Sequence, residues 1–313
     1  MKLIDVTRQF NTDDKCLDYL EAMRWPSGVA CIECGSLKVS RITRESKTKN
    51  RRTRLYQCLE AQCGHQFSPT AGTIFHDSHL PLTKWFIAIA IICEAKKGVS
   101  ACQMQRHLGV NYRTAWHLCH RIRKAMMQDF ILDAPEVEVD ETYVGSRIKR
   151  PRHARPRTKP DDVVLGMVER GSGRLKLVPV ADAKAKILQP PLEQHISESV
   201  ATIYSDEHPI YIFALKDKFP DKHKTIAHKH AYAIGDVHTN TIENAFSLFK
   251  RGLYGTFRQV STKHLGRYCD EFSYRFNRRQ QQPELFAQTT KALLNGERLT
   301  YNALTADAGK ETT

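Results

Sequence analysis

Two pairs of cysteines constrain the fold of this 313-residue chain more than any other feature of its sequence. Cys31 and Cys34 enclose two residues and precede a glycine, whereas Cys58 and Cys63 follow 23 residues later and enclose four. Paired cysteines at this separation are typical of a zinc ribbon, in which four thiolates bind one Zn²⁺ tetrahedrally. We therefore expect a single structural zinc ion on these residues. Two alternatives stay open: His65 replaces Cys63, or the four are unrelated buried thiols.

The charge of the chain favours a polyanionic partner. Lysine and arginine number 48 against 34 acids, which gives a formal charge of +14 and a pI near 9.4. Such a protein is expected to bind nucleic acid or an anionic membrane surface. The longest apolar run, Trp85 to Cys93, is too short for the ~18 residues that span a bilayer, so no membrane is expected. Nine cysteines, an odd count without a recognisable export signal, favour reduced thiols and a cytoplasmic location.

Helical patterns occupy the region after the cysteines. The apolar run predicts a mostly buried helix that is capped by Thr83 and ends at Gly98. A short helix after Ser100, a turn at residues 108–110 and a second helix over 112–126 then form a helix-turn-helix pattern. Any three-helix bundle with a glycine turn would give the same pattern, so this alternative stays open.

The second of these helices has two predicted faces. The inward face carries apolar side chains, namely Ala115, Trp116, Cys119, Ile122 and Met126. The outward face carries cations and histidines, namely Arg113, His117, His120, Arg121 and Lys124. A recognition helix in the major groove presents such a face to phosphates. We therefore expect Arg113, Arg121 and Lys124 to bind DNA.

From Glu136 onward the apolar pattern has a period of two, which predicts strands. Three such segments include a hairpin around residues 171–173, a fourth ends at Asp206, and helical patterns follow around 244–250 and 264–277. The sequence therefore predicts an α+β protein of several domains. Two basic stretches, 41–54 and 146–160, are predicted to be loops that DNA could also contact.

Three acids stand where a strand or a helix would present them. Asp140 and Asp206 end apolar strands, and Glu243 lies on a helix with Lys250 seven residues on, on the same face at ~3.6 residues per turn. Three carboxylates suffice to hold two Mg²⁺ or Mn²⁺ ions, which prefer oxygen ligands and can assist phosphodiester cleavage. Other acids compete for these positions, namely Glu138, Glu141 and Glu207, and an ordinary solvated helix face also remains possible.

The spacing of the acids resembles that of DDE transposases and integrases with an RNase H-like fold. The cysteine pairs, "TAGTIFHDSHLPLTKWF", "VDETYVG", "YSDEH" and "HTNTIENAFSLFKRGLYGTFRQVSTKHLGRYCDEFSYRFNRR" together are similar to the ISXO-type insertion-sequence transposases of bacteria. The resemblance implies catalytic acids at Asp140, Asp206 and Glu243, and a DNA-binding lysine at Lys250. It further implies a zinc ribbon (1–75), a helix-turn-helix domain (76–130), a mixed-sheet catalytic domain (131–285) and a C-terminal tail (286–313).

A transposase of this kind is expected to bind the inverted-repeat ends of its insertion sequence and to catalyse strand cleavage and transfer into target DNA. Its partner is double-stranded DNA, and holding two ends together requires a homodimer or a larger assembly. We expect a cytoplasmic protein that is associated with the nucleoid when bound to DNA. The alternatives are a DNA-binding regulator with an inactive catalytic domain, and a nuclease that only hydrolyses.

Overall fold

The computed structural model describes residues 1–42, 54–145, 162–226 and 239–306. The two basic stretches predicted to be loops lie mostly outside these ranges. The chain divides into a first unit, which comprises Met1–Lys96, Ala101–Met126 and Gln281–Thr313, and a second unit, which comprises Lys97–Ser100 and Met127–Gln280. Within the described ranges, no helix is long and apolar enough to cross a membrane. The predicted mixture of helices and sheets is confirmed.

The N-terminal part of the first unit carries a small antiparallel sheet. Two helices, α1 (Leu3–Gln9) and α2 (Asp13–Arg24), precede three strands in the order β1-β2-β3. These strands are β1 (Val39–Ile42), β2 (Leu55–Cys58) and β3 (Gln66–Phe67). Tyr56 and Phe67 are buried beneath the sheet with two of the cysteines, so this small core is shared with the predicted zinc site.

The rest of the first unit is helical. It contains α3 (Leu82–Glu94), α4 (Ala101–Leu108), α5 (Tyr112–Ala125), α10 (Gln282–Asn295) and α11 (Tyr301–Thr305). Seven side chains of α3 are buried, as its apolar sequence predicts. Helix α5 begins after Asn111, whose side chain accepts a hydrogen bond from Thr114 N at 2.8 Å. Thr83 does not cap α3, because the helix already begins at Leu82 after Pro81.

The C-terminal region requires a correction, because the predicted tail contains helical residues as far as Asn295 in α10 and again from Tyr301 to Thr305 in α11. Leu285, Phe286 and Leu293 bury one face of α10. The ring of Phe286 lies 5.7 Å from Phe86 and 6.0 Å from Phe10, which joins α10 to α3 and to the end of α1. Leu304 of α11 is also fully buried. The segment therefore belongs to the core of the first unit, together with both predicted N-terminal domains.

The second unit is built on a five-stranded mixed sheet in the order β6-β5-β4-β7-β8. Its strands are β4 (Glu136–Val144), β5 (Asp162–Glu169), β6 (Leu175–Val180), β7 (Thr202–Asp206) and β8 (His223–Ile226). Strands β4, β5 and β6 run antiparallel to one another, whereas β7 is parallel to β4 and β8 is parallel to β7. Apolar residues dominate both faces of the central strands, so helices must cover both faces.

Helices cover both faces of this sheet. They are α6 (Ala185–His195), α7 (Pro209–Leu215), α8 (Asn240–Gly252) and α9 (Thr262–Asn277), with a π-helical segment, Leu253–Phe257, after α8. Val137 and Val139 of β4 belong to the core formed with α6 and α7. The opposite core combines β5 and β6 with α8 and α9. Because side chains alternate along a strand, Glu138 and Asp140 face α8.

Candidate metal centres and DNA-binding surface

The four predicted zinc ligands form one cluster. Their sulfur atoms all lie within 4.8 Å of one another, with Cys31 Sγ 3.7 Å from Cys63 Sγ and Cys34 Sγ 3.6 Å from Cys58 Sγ. Four thiolates at ~2.3 Å from one zinc ion would be ~3.8 Å apart, so the cluster fits tetrahedral zinc. The interpretation as unrelated thiols is therefore wrong. His65 is not part of the cluster, because its ring stacks on Phe67.

Two similar turns build this cluster from local sequence. Gly35 adopts φ 74° and donates its N–H to Cys31 O at 3.0 Å, whereas Gly64 adopts φ 54° and donates to Glu60 O at 3.1 Å. Both positions lie in the left-handed region, which glycine enters without strain. The second turn thus begins at Glu60 rather than at Cys58, and the extra residues of the wider cysteine gap precede it. Burial opposes ionisation of Cys31, but the N–H groups of Cys34 and Glu33 lower its pKa to about 7.

The three predicted acids and Lys250 approach one another in the second unit. Burial, together with the negative charges of Glu141, Asp206 and Glu243, raises the pKa of Asp140 to about 8. Burial likewise lowers the pKa of Lys250, which the charge of Asp140 opposes. The charges of the other three predicted site residues therefore all interact with Asp140. Within the described ranges, however, only the four cysteines place three or more ligand atoms as close together as one ion requires.

Neighbouring elements position these acids. Strands β4 and β7 are parallel, and their register pairs Glu138 with Tyr204, so Asp140 and Asp206 stand side by side two residues further along. Glu243 lies in the first turn of α8, where its carboxylate accepts a hydrogen bond from Thr239 Oγ1 at 3.1 Å.

Gly166 permits close packing of α8 on the sheet. This glycine lies opposite Asp140 in the β4–β5 ladder, and a Cβ atom there would lie 2.6 Å from Phe246 and 2.7 Å from Ile242. Any larger residue would therefore force these two side chains of α8 to shift.

The competing acids have other partners or positions. Glu138 is fully buried, and its Oε2 accepts hydrogen bonds from the N–H groups of Thr241 and Ile242. Tyr211 donates its hydroxyl proton to Glu141, and Glu207 is exposed. The structural role of Glu138 is not apparent from the sequence, where only its inward position on an apolar strand distinguishes it.

Two residues that were predicted to lie on the outward, DNA-binding face of α5 are buried instead. Arg121 is 6% exposed, donates to the backbone carbonyls of Ile74 and His76, and lies with its guanidinium 4.8 Å from the Trp85 ring centroid. Burial lowers its pKa to about 10. His120 is fully buried. The predicted outward face is therefore partly packed against the first unit's own core.

The C-terminal segment covers more of the same face. The guanidinium of Arg113 lies 4.4 Å from the Tyr301 ring centroid, and His117 forms a hydrogen bond with Leu299 O at 3.0 Å. Lys124 pairs with Glu297 at 3.7 Å. Apolar residues such as Leu299 and Tyr301 in the presumed tail were the signal that this segment packs against a helix. The turn between α4 and α5 remains exposed, with a group of polar and cationic residues there: Arg106, His107, Tyr112 and Arg113.

These observations define a class of protein, namely one with a four-cysteine ribbon and an acidic centre on a mixed sheet. Residues 132–277 match the family model of an ISXO2-like transposase domain, and residues 11–66 match that of a transposase zinc-ribbon domain. The chain is 28% identical over 287 residues to an uncharacterized protein in transposable element ISH50 of Halobacterium salinarum, a match that covers 86% of this chain and 92% of that relative. These matches identify an ISXO2-like transposase domain in the second unit and a transposase zinc-ribbon domain in the first.

Proposed function

We propose that this transposase binds the inverted-repeat ends of its own insertion sequence, cleaves the DNA there and transfers the freed ends into target DNA. The observation that carries this proposal is the approach of Asp140, Asp206, Glu243 and Lys250 to one another beside β4. A regulator that only binds DNA has no need of three carboxylates held close together against their repulsion. The strand order, with three antiparallel strands and two further parallel ones, supports an RNase H-like catalytic domain.

The acidic centre offers the carboxylate oxygens that divalent cations prefer as ligands. Asp140, Asp206 and Glu243 would hold two Mg²⁺ or Mn²⁺ ions, whose positive charge would offset the burial and the neighbouring negative charges that raise the pKa of Asp140. When bound, the ions supply activation of an attacking oxygen and stabilisation of the leaving oxygen.

The protein's own side chains would position the DNA strand. Asp140 and Asp206 lie on paired strands, which keeps their separation nearly fixed. Lys250 lies two turns after Glu243 on α8, and its partly buried ammonium group would bind the phosphate beside the scissile bond. Burial disfavours the charged form of Lys250 in the free protein. A phosphate would stabilise this charged form, so the ion pair should be stronger than one with a solvated lysine.

The exposed turn between α4 and α5 is the best-supported DNA-reading surface. In helix-turn-helix proteins the N-terminal residues of the second helix contact base edges, and Tyr112 and Arg113 occupy those positions here. Lys124 would bind a phosphate from its partly exposed position. Arg121 is better explained as a structural residue. Two element ends must be held together for transfer, so we propose a homodimer or a larger assembly on DNA.

A cleavage assay on the flanks of the protein's own gene tests this function. Labelled DNA from those flanks is incubated with the zinc-loaded protein and Mg²⁺ or Mn²⁺, and we expect nicks at the element ends and joining to an added plasmid. The Asp140→Asn protein should bind the same DNA without cleaving it. Binding without cleavage by the unmodified protein in either metal would favour the regulator. Cleavage without joining under all conditions would favour a hydrolytic nuclease.

A further inference from the structure

The acidic centre contains one element whose position no strand register fixes. Asp140 and Asp206 lie on adjacent strands, whereas Glu243 lies on α8, which is not part of the hydrogen-bonded sheet. Because metal ligands must be placed to within a few tenths of an ångström, the site needs an additional connection between α8 and β4. Glu138 provides a direct connection.

Glu138 binds the N-terminus of α8 across 103 positions of sequence. Its Oε2 accepts hydrogen bonds from Thr241 N and Ile242 N, each at 3.0 Å. Thr239, the residue that precedes the helix, forms no side-chain capping bond, so Glu138 takes over this role from the neighbouring strand. A buried carboxylate at the positive end of a helix is also favoured by the helix dipole.

The residue held by this contact adjoins Glu243. Ile242 immediately precedes Glu243 in the same helical turn, and Glu138 is two residues before Asp140 on the same face of β4. The two backbone hydrogen bonds therefore fix the distance between the strand that carries one acid and the helix that carries another.

Arg170 links Glu138 to β7, the strand that carries Asp206. Arg170 Nε donates to Glu138 Oε1 at 2.9 Å, and its guanidinium lies 3.8 Å from the Tyr204 ring centroid. Tyr204 is two residues before Asp206 on β7 and is the register partner of Glu138. The arginine also supplies a counter-charge for the buried carboxylate of Glu138. The contacts of Glu138 with Arg170 and of Arg170 with Tyr204 therefore lie two residues from the predicted metal ligands on β4 and β7.

We infer that Glu138 is a positioning residue of the transposase, which holds Glu243 next to Asp140 and thereby sets the affinity of the acidic centre for divalent cations. This inference rests on the proposed function only in assigning metal binding to those acids. Groups that orient metal ligands without touching the metal commonly contribute about 10-fold to 100-fold to affinity. Glu138→Gln should act on this scale, because the amide group would turn a donor toward Arg170 in place of an acceptor.

The chain offers a closely matched control. Glu169 is 1% exposed and also accepts two backbone N–H groups, from Asp133 at 2.8 Å and Ala134 at 3.2 Å, and one arginine Nε, from Arg174 at 2.8 Å. It lies next to Glu138 in the ladder, since β4 and β5 pair Glu138 with Val168, but it does not bind α8. Glu169→Gln should therefore cost stability without changing the acidic centre.

The test is Mn²⁺ affinity of the zinc-loaded full chain, measured by the electron paramagnetic resonance of free Mn²⁺, with circular dichroism to verify folding. We expect an affinity loss of about 10-fold or more in Glu138→Gln and less than about 2-fold in Glu169→Gln. Glu138→Asp keeps the charge beside Arg170 but shortens the reach to α8, so it should fold and also bind Mn²⁺ more weakly. Unchanged affinity in folded Glu138→Asp or Glu138→Gln would overturn the inference. Unchanged affinity in Glu243→Gln would instead contradict the proposed metal site itself.

Discussion

The cysteine cluster and the acidic centre are both sets of ligand side chains, but the chain assembles them in different ways. The four cysteines lie between positions 31 and 63 and are brought together by two local turns. The acids come from two strands and a helix that are distant in sequence, and they depend on sheet pairing and on the packing of α8. A ligand set made by local turns is preformed, whereas one made by distant elements needs buried connections such as Glu138.

The two centres also differ in how their surroundings shift the pKa values of the ligand side chains. At the ribbon, and against the effect of burial, backbone N–H groups lower the pKa of Cys31 to about 7 and so favour the thiolate that zinc requires there. Although the N–H group of His65 opposes them, burial and the neighbouring thiols instead raise the pKa of Cys63 to about 12. At the acidic centre, burial and neighbouring acids raise the pKa of Asp140 to about 8 and so disfavour its carboxylate.

Removal of zinc should cause the largest loss of structure, and this loss should be confined to the ribbon. Zinc binding in small structural sites contributes on the order of 10 kcal/mol at neutral pH, and the ribbon's own core is small. We expect a strong chelator to unfold the region around β1–β3 while the second unit stays folded, which hydrogen exchange of both regions would show. Freshly purified protein without zinc, or a ribbon that stays protected after chelation, would remove the distinction between the centres.

Loss of the acids should affect chemistry alone. Asp140→Asn or Asp206→Asn should lower the cleavage rate by at least roughly 100-fold and leave DNA binding intact. Residues that act as one metal site are not lost independently, so the variant lacking all three acids should be little worse than the poorest single one. Single-turnover rates on one labelled end substrate measure this. Losses that multiply from variant to variant would contradict a shared site.

The acidic centre should also make the metal-free protein sensitive to pH. A carboxyl group with a raised pKa in the folded state contributes stability below its unfolded pKa and loses it as the pH rises through the folded value, about 8 for Asp140. Asp140→Asn cannot titrate. Its stability relative to the unmodified protein should therefore increase as the pH rises from about 4 to about 8 in divalent-free buffer, and change little above that. Urea unfolding at several pH values tests this, and a constant difference would show that Asp140 is ionised throughout.

The smallest effects are expected on α5. Arg113→Ala and Lys124→Ala should each lower the salt slope of log affinity for terminal DNA by about 0.9 if each residue binds one phosphate. Arg121→Ala should leave this slope unchanged and lower the free energy of unfolding by roughly 1–3 kcal/mol, because two buried carbonyls lose their donor. The reverse pattern would mean that Arg121 leaves the core on DNA binding.

The sequence predicts the local features of both centres well. Cysteine spacing was sufficient for the ribbon, and strand periodicity located Asp140 and Asp206 on strands that are neighbours in the sheet. Long-range packing was not predictable from spacing. Nothing local indicates that Glu138 binds α8, and the apolar residues around Tyr301 indicate packing without indicating that α5 is the partner. Both are contacts between segments more than 100 positions apart, which a periodic pattern does not encode.

The most direct test of the account is the cleavage rate of Glu243→Gln as a function of Mn²⁺ concentration, compared with that of Glu207→Gln. Glu243 lies on α8 near Asp140, whereas Glu207 is an exposed acid next to Asp206. We expect Glu243→Gln to bind terminal DNA normally and to cleave it at least roughly 100-fold more slowly, with Glu207→Gln close to the unmodified protein. Normal cleavage by Glu243→Gln together with a slow Glu207→Gln would assign the third carboxylate to Glu207 and contradict the account.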